Sequence, residues 1–187
     1  MAKVKNNIVI EGLSGSLGNR IVFSQRAGKT VVSVKPQPSS PKSEAQLRQM
    51  QTFREATIYA KKVIKDPVTK AAYAQRARPG QSAYSVAVSD YMTAPDISLV
   101  DFSLYDGKKG SPLTIRASDD HMVTEVQVAI YDGNGVLLEE GSATPEENGL
   151  DWTYATQKAT TEVQGNRLEI KAIDLPGNRS QRSEVVA

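Results

Sequence analysis

Leu113-Thr-Ile-Arg-Ala117, Val126-Gln-Val-Ala-Ile130 and Leu168-Glu-Ile-Lys-Ala172 share one pattern, an apolar residue at every second position with mainly polar residues between. A period of two places the apolar set on one face of a strand, so each stretch reads as a half-buried strand. Ile97–Leu104, Val136–Glu140, Trp152–Thr156 and Arg179–Val186 extend the pattern on either side, giving seven predicted strands. Asp132-Gly-Asn-Gly135 and Leu175-Pro-Gly-Asn178 supply the positive-φ residues that tight hairpins require. Strand number and spacing predict an all-β sandwich.

Upstream of Ile97 the pattern changes. Three β-prone runs, Asn7–Leu13, Ile21–Gln25 and Thr30–Val34, are separated by the turn-rich Ser14–Arg20 and by Arg26–Lys29. They predict a three-stranded meander. Gly12, Gly15 and Gly18 show G-x-x-G-x-x-G spacing. A dinucleotide fingerprint has other spacing and opens into a helix, whereas a strand follows here, so the glycines read as a hairpin turn. Lys35-Pro-Gln-Pro-Ser-Ser-Pro41 is an extended linker, because its prolines cannot donate to a ladder.

Ser43-Glu-Ala-Gln46 is an S-x-x-Q capping box that starts a long helix. Its Met50, Phe53, Thr57, Ala60 and Ile64 form a mainly apolar stripe expected to pack inward. Asp66-Pro67 supplies the N-cap and first-turn proline of a second helix reaching about Arg78, where Pro79-Gly80 breaks it. Ser82 precedes Tyr84, Ala87, Val88 and Tyr91 at helical spacing and predicts a third helix ending before Pro95, although Tyr84, Val86 and Val88 also alternate as a strand would. The chain thus reads as an α+β domain over residues 1–95, a meander with two or three helices, followed by an all-β domain over residues 96–187.

The 187 residues suffice for two modest domains, each with its own core. The absence of cysteine excludes disulfides, thiolate nucleophiles and Cys-ligated metal, and His121 as the sole histidine excludes a multi-histidine site. No cofactor and no metal are expected. Ile8-Val9-Ile10 is too short for a signal-peptide core, and no stretch approaches the ~20 apolar residues of a membrane-spanning helix. The expected location is the cytoplasm, as synthesised, or a particle into which the chain is incorporated. A net charge of +2 conceals an asymmetry: residues 1–95 carry 15 Lys and Arg against 5 Asp and Glu, the rest 8 against 16. A basic half of +10 precedes an acidic half of −8, which suggests an acidic partner or head-to-tail attraction between copies.

Ala117-Ser-Asp-Asp120, Val123-Thr-Glu-Val-Gln-Val128, Gly133–Leu138 and the A-x-D-x-x-G-N-x-S run from Ala172 to Ser180 resemble a bacterial immunoglobulin-like domain. The resemblance covers residues 97–187 and implies a sandwich used in adhesion, spacing or assembly. No cysteine pair is present and Trp152 falls late in the chain, so antibody-type domains are excluded. Residues 8–60 resemble the start of bacterial and prophage-type proteins that pair a Gly-rich hairpin with an S-x-x-Q-x-x-x-x-x-x-F helix start, here Ser43, Gln46 and Phe53. That resemblance implies a layout and no activity.

Lys61, Lys62, Lys65, Lys70, Arg76 and Arg78, with Tyr59 and Tyr73 between them, are the candidate contacts for nucleic acid or an acidic partner. The competing reading is a solvated helix face with core tyrosines. Asp119-Asp120-His121 reads as a solvated turn, because calcium needs roughly six to eight oxygens and two adjacent aspartates supply too few. No serine sits on a nucleophile elbow. Glu139-Glu140 and Glu146-Glu147 read as acidic surface, and Asn178-Arg-Ser180 as a glycosylation sequon left unused without export. The sequence therefore points to a non-enzymatic structural or interaction protein, such as a phage-type particle component, that self-associates or binds a protein partner and takes no small-molecule substrate. The alternative is sequence-independent nucleic-acid binding by the basic half. Residues 97–187 expressed alone are expected to unfold in one cooperative thermal transition, and a fragment without one would place part of its core in the first half.

Overall fold

A computed structural model of the chain describes residues 2–3, 8–26, 28–37 and 41–186. Its elements run β1 (Ala2–Lys3), β2 (Gly15–Leu17), β3 (Ile21–Arg26), β4 (Lys29–Val34), α1 (Glu44–Val63), α2 (Pro67–Gln75) and α3 (Ala83–Met92). There follow β5 (Asp96–Asp101), β6 (Pro112–Ser118), β7 (Val123–Tyr131), β8 (Leu137–Ser142), β9 (Thr144–Pro145), β10 (Asp151–Ala155), β11 (Arg167–Asp174) and β12 (Arg179–Val185). The described residues form three helices and three antiparallel sheets, an α+β arrangement, with strand orders β1-β4-β3-β2, β5-β6-β10-β9 and β12-β11-β7-β8.

Each of the seven strands predicted after Ile97 has a counterpart, and the two-residue β9 is added. Period-two patterning places Leu113, Ile115 and Ala117 of β6 and Trp152 and Tyr154 of β10 on one inner face. Across from them lie Val126, Val128 and Ile130 of β7 and Leu168, Ile170 and Ala172 of β11, and the two faces share one apolar core. At the sheet edges, Arg182 Nη1 on β12 donates to the carbonyls of Ile97 and Ser98 at 3.0 and 2.9 Å, tying one sheet to the other. Arg116 on β6 holds Asp151 on β10 through two nitrogens at 2.7 and 2.9 Å.

The helix starts follow their capping chemistry. Ser43 and Gln46 complete the capping box of α1, and Asp66 accepts from the Thr69 backbone N–H at 2.8 Å at the start of α2. Ser82 and Ser85 cap α3 reciprocally, which settles Tyr84–Val88 as helix and removes the strand alternative.

Two expectations are corrected. Asn7 lies outside the described residues, but Ile8–Gly12 form turns and the edge strand is Gly15–Leu17, inside the segment read as turn-rich. Gly12 has φ +80° and donates its N–H to Thr30 Oγ1, while Leu13 O accepts from the Gln25 side chain, so side-chain bonds replace a ladder there. The meander keeps three strands, β2-β3-β4, with its first strand moved to Gly15–Leu17 and β1 added beside β4, and the first reversal falls at Gly18 and Asn19, both with positive φ.

The apolar stripe of α1 packs inward only in its second half. Ala56 and Ala60 are fully buried, whereas Met50 and Phe53 remain about half exposed, at 51% and 52%. The reason is length: α1 has 20 residues and its partner α3 has 10, so at ~1.5 Å per residue α3 covers about half of it. Ile170→Ala is expected to lower unfolding stability by about 2–5 kcal/mol and Met50→Ala by under ~0.5 kcal/mol, as read by denaturant titration.

Candidate functional site

Asp90 interrupts the apolar run of α3 at the spacing of its buried face, four residues after Val86 and three after Ala87. It is fully buried. A carboxyl in that position needs donors, and the helices supply one: Tyr73 on α2 donates its hydroxyl to Asp90 Oδ2 at 2.6 Å. Tyr59 on α1 stands 3.0 Å from the Tyr73 oxygen, and because the Tyr73 proton is committed to Asp90, Tyr59 donates in turn. A hydroxyl relay therefore runs from α1 through α2 to α3.

The β-sheets meet this relay from the other side. The bend between β6 and β7 carries Asp119 and His121, and Asp119 Oδ2 accepts the backbone N–H groups of His121 and Met122. His121 is only 5% exposed, and its ring stacks on Tyr73 with centroids 4.3 Å apart. The expectation of a solvated turn is therefore corrected for His121, since the helices roof it over.

The β11–β12 hairpin completes the junction. Asp174 Oδ1 accepts from the backbone N–H of Gly177 at 2.8 Å and of Asn178 at 2.6 Å, which fixes the turn. Gly177 adopts φ +96° there, a conformation that favours glycine. The Asn178 amide nitrogen then points at the carbonyls of Asp90, Tyr91 and Thr93, at 3.3, 3.1 and 3.0 Å, as well as Asp174 Oδ2 at 2.8 Å. The hairpin thus caps the C-terminal carbonyls of α3, which have no partner within the helix.

Three carboxyls, Asp90, Asp119 and Asp174, converge at this junction. Burial pushes Asp90 up to about 7, its bond from Tyr73 opposes the shift, and the neighbouring Asp119 and Asp174 charges reinforce it. Burial likewise raises Asp174. Asp90 Oδ1 and Asp119 Oδ1 are buried without a donor, an arrangement that favours a retained proton on Asp90. Burial, followed by the nearby Arg76 charge, lowers the pKa of His121 and favours its neutral form. No group of three or more potential ligands among the described residues is arranged to hold a metal ion.

A cleft of about 310 Å³ opens beside the junction, lined from the helices by Arg76, Arg78, Gln81, Val86, Ser89 and Asp90, and from the β-bend by Asp120 and His121. Two of the six predicted cations lie in it. Lys61 and Lys62 occupy the last turn of α1, Lys65 the following turn and Lys70 the exposed side of α2, all outside this cleft. All six are exposed. The sequence reading passed over Tyr73, Asp90, Asp174 and Asn178 as a set, and the available signal was the lone acid within the apolar face of α3.

Asp90 keeps its proton in the folded chain at pH values where the unfolded chain has released it. Its contribution is therefore complete below the ordinary carboxylate range and is lost as pH rises to about 7. Asp90→Asn, which mimics the protonated form, is expected to exceed the parent in stability by about 1–3 kcal/mol at pH 8 and to match it near pH 4 in paired thermal melts.

No protein family matches the chain, and no curated protein matches it. Among solved structures, CopC from Methylosinus trichosporium OB3b is similar at 14% identity and a TM-score of 0.35, over 48% of this chain and 87% of that one. An engineered protein is similar at 14% identity and a TM-score of 0.32, over 60% of this chain and 31% of that one.

Proposed function

We propose that the chain is a non-enzymatic structural or interaction protein that assembles with further copies of itself, in the manner of a particle component. One observation carries this reading. Leu17, Ile21 and Val34 are paired directly across β2, β3 and β4, so they form one row on one sheet face, and they are exposed by 63%, 39% and 80%. Phe23 and Val32 pair on the same face one row further in. An apolar sheet face of this kind marks a protein contact. Leu47, Met50 and Phe53 on the first half of α1 add exposed apolar area.

Charge selects the occupant. The half that bears this face has a net charge of +10 and the other half −8, so a second copy offers the complementary field. In this reading residues 1–95 form the docking domain and residues 96–187 an immunoglobulin-like module that spaces or presents it. The strand orders β5-β6-β10-β9 and β12-β11-β7-β8 support that module, because with β5 as strand A they follow the A-B-E-D and G-F-C pattern, with β8 as an added C′ strand.

A second reading is sequence-independent nucleic-acid binding, favoured by the exposure of Lys61, Lys62, Lys65, Lys70, Arg76 and Arg78, none of which is ion-paired among the described residues. Light scattering after size-exclusion chromatography separates the two. Assembly predicts a mass above the monomer that Leu17→Ser with Val34→Ser reduces at every salt concentration, and that Lys61→Gln, Lys62→Gln and Lys65→Gln reduce only at low salt. Nucleic-acid binding predicts a monomer whose affinity for arbitrary duplexes falls steeply with salt and less steeply in the lysine variant.

A further inference from the structure

We propose that the cleft between the α2–α3 connection and the β6–β7 bend is a binding site for a phosphate group. Arg76 and Arg78 approach it from the same connection, and neither has an acidic partner within ion-pair distance among the described residues. Paired guanidinium groups offer planar forks of N–H donors that match the oxygens of a phosphate. The backbone that carries them is held in place. Arg76 caps the C-terminus of α2, and the Arg78 N–H donates to Gln81 Oε1 at 3.0 Å while the Gln81 N–H returns to the Arg78 carbonyl at 2.8 Å.

The opposite wall distinguishes this cleft from an ordinary basic surface. His121 contributes a ring that is 95% buried by its 5% exposure, is fixed by stacking on Tyr73, and has an Nδ1 without any hydrogen-bond partner. With the proton of the neutral ring on Nδ1, that nitrogen is a donor without an acceptor, and a bound oxyanion would supply one. Asp120 stands exposed at the rim. Inorganic phosphate near neutral pH keeps at least one proton for a carboxylate to accept, whereas sulfate has none. A site with two arginines and one accessible carboxylate therefore discriminates between the two anions.

Isothermal titration of the full chain at pH 7 and constant ionic strength tests the site, with inorganic phosphate, sulfate and O-phosphoserine as probes. Saturable 1:1 binding of phosphate is expected, with sulfate weaker by about tenfold or more. Arg76→Gln with Arg78→Gln should weaken phosphate by about tenfold or more, while Lys61→Gln with Lys62→Gln stays within about twofold of the parent. A phosphomonoester loses its last proton at about pH 6 and, like sulfate, offers the carboxylate none at pH 7, so O-phosphoserine is expected to bind more weakly than the free anion, and equal binding of the two would overturn the selectivity. The proposal is overturned by an absence of saturable binding with either phosphate probe, by equal binding of sulfate, or by unchanged affinity in an arginine variant whose circular dichroism matches the parent.

Discussion

The amide of Asn178 is the point on which the relation between the helices and the β-sheets depends. Its nitrogen meets three backbone carbonyls at the end of α3, which a helix cannot satisfy internally. Its own position is set by Asp174, which gathers the backbone of the β11–β12 turn. The conformation of a hairpin is thereby transmitted to the last turn of a helix. From there Asp90 passes the constraint to Tyr73 and Tyr59, so that α1, α2 and α3 are all registered against the sheets through one chain of polar contacts.

Polar contacts of this kind position more than they stabilise. Apolar burial accounts for the core between the two β-sheets, where Val126, Val128, Leu168 and Ile170 lose nearly all their exposure. The junction instead buries carboxyls, whose removal from water is unfavourable unless donors or a proton compensate. Retention of a proton is the compensation for Asp90, which links the relation between the halves to pH in the neutral range.

The first sheet follows a different logic. Its row of Leu17, Ile21 and Val34 is apolar yet open to water, and the first half of α1 extends beyond the reach of α3. A monomer gains nothing from such surfaces, whereas an assembly covers them. In the proposed assembly, the basic charge of the first half and the acidic charge of the other would supply orientation as well as attraction.

Local chemistry made much of the fold legible in the sequence. Alternation marked the strands after Ile97 because side chains on a strand change face at every residue, and Ser43, Asp66 and Ser82 marked helix starts because their oxygens satisfy nearby backbone donors. The first run failed because Gly12 and Thr30, eighteen residues apart, form a bond that propensity does not register. Arg76 and Arg78 were visible as cations, but their gathering with His121 was not. That juxtaposition joins residues more than forty positions apart, and likewise Asn178 reaches Asp90 across eighty-eight. The sequence by itself determined α1, α2 and the seven strands after Ile97, since those choices rest on neighbours along the chain. Tertiary structure alone decided that a lone acid, a lone histidine and a turn asparagine share one site, because burial and long-range hydrogen bonds arise only once the elements pack.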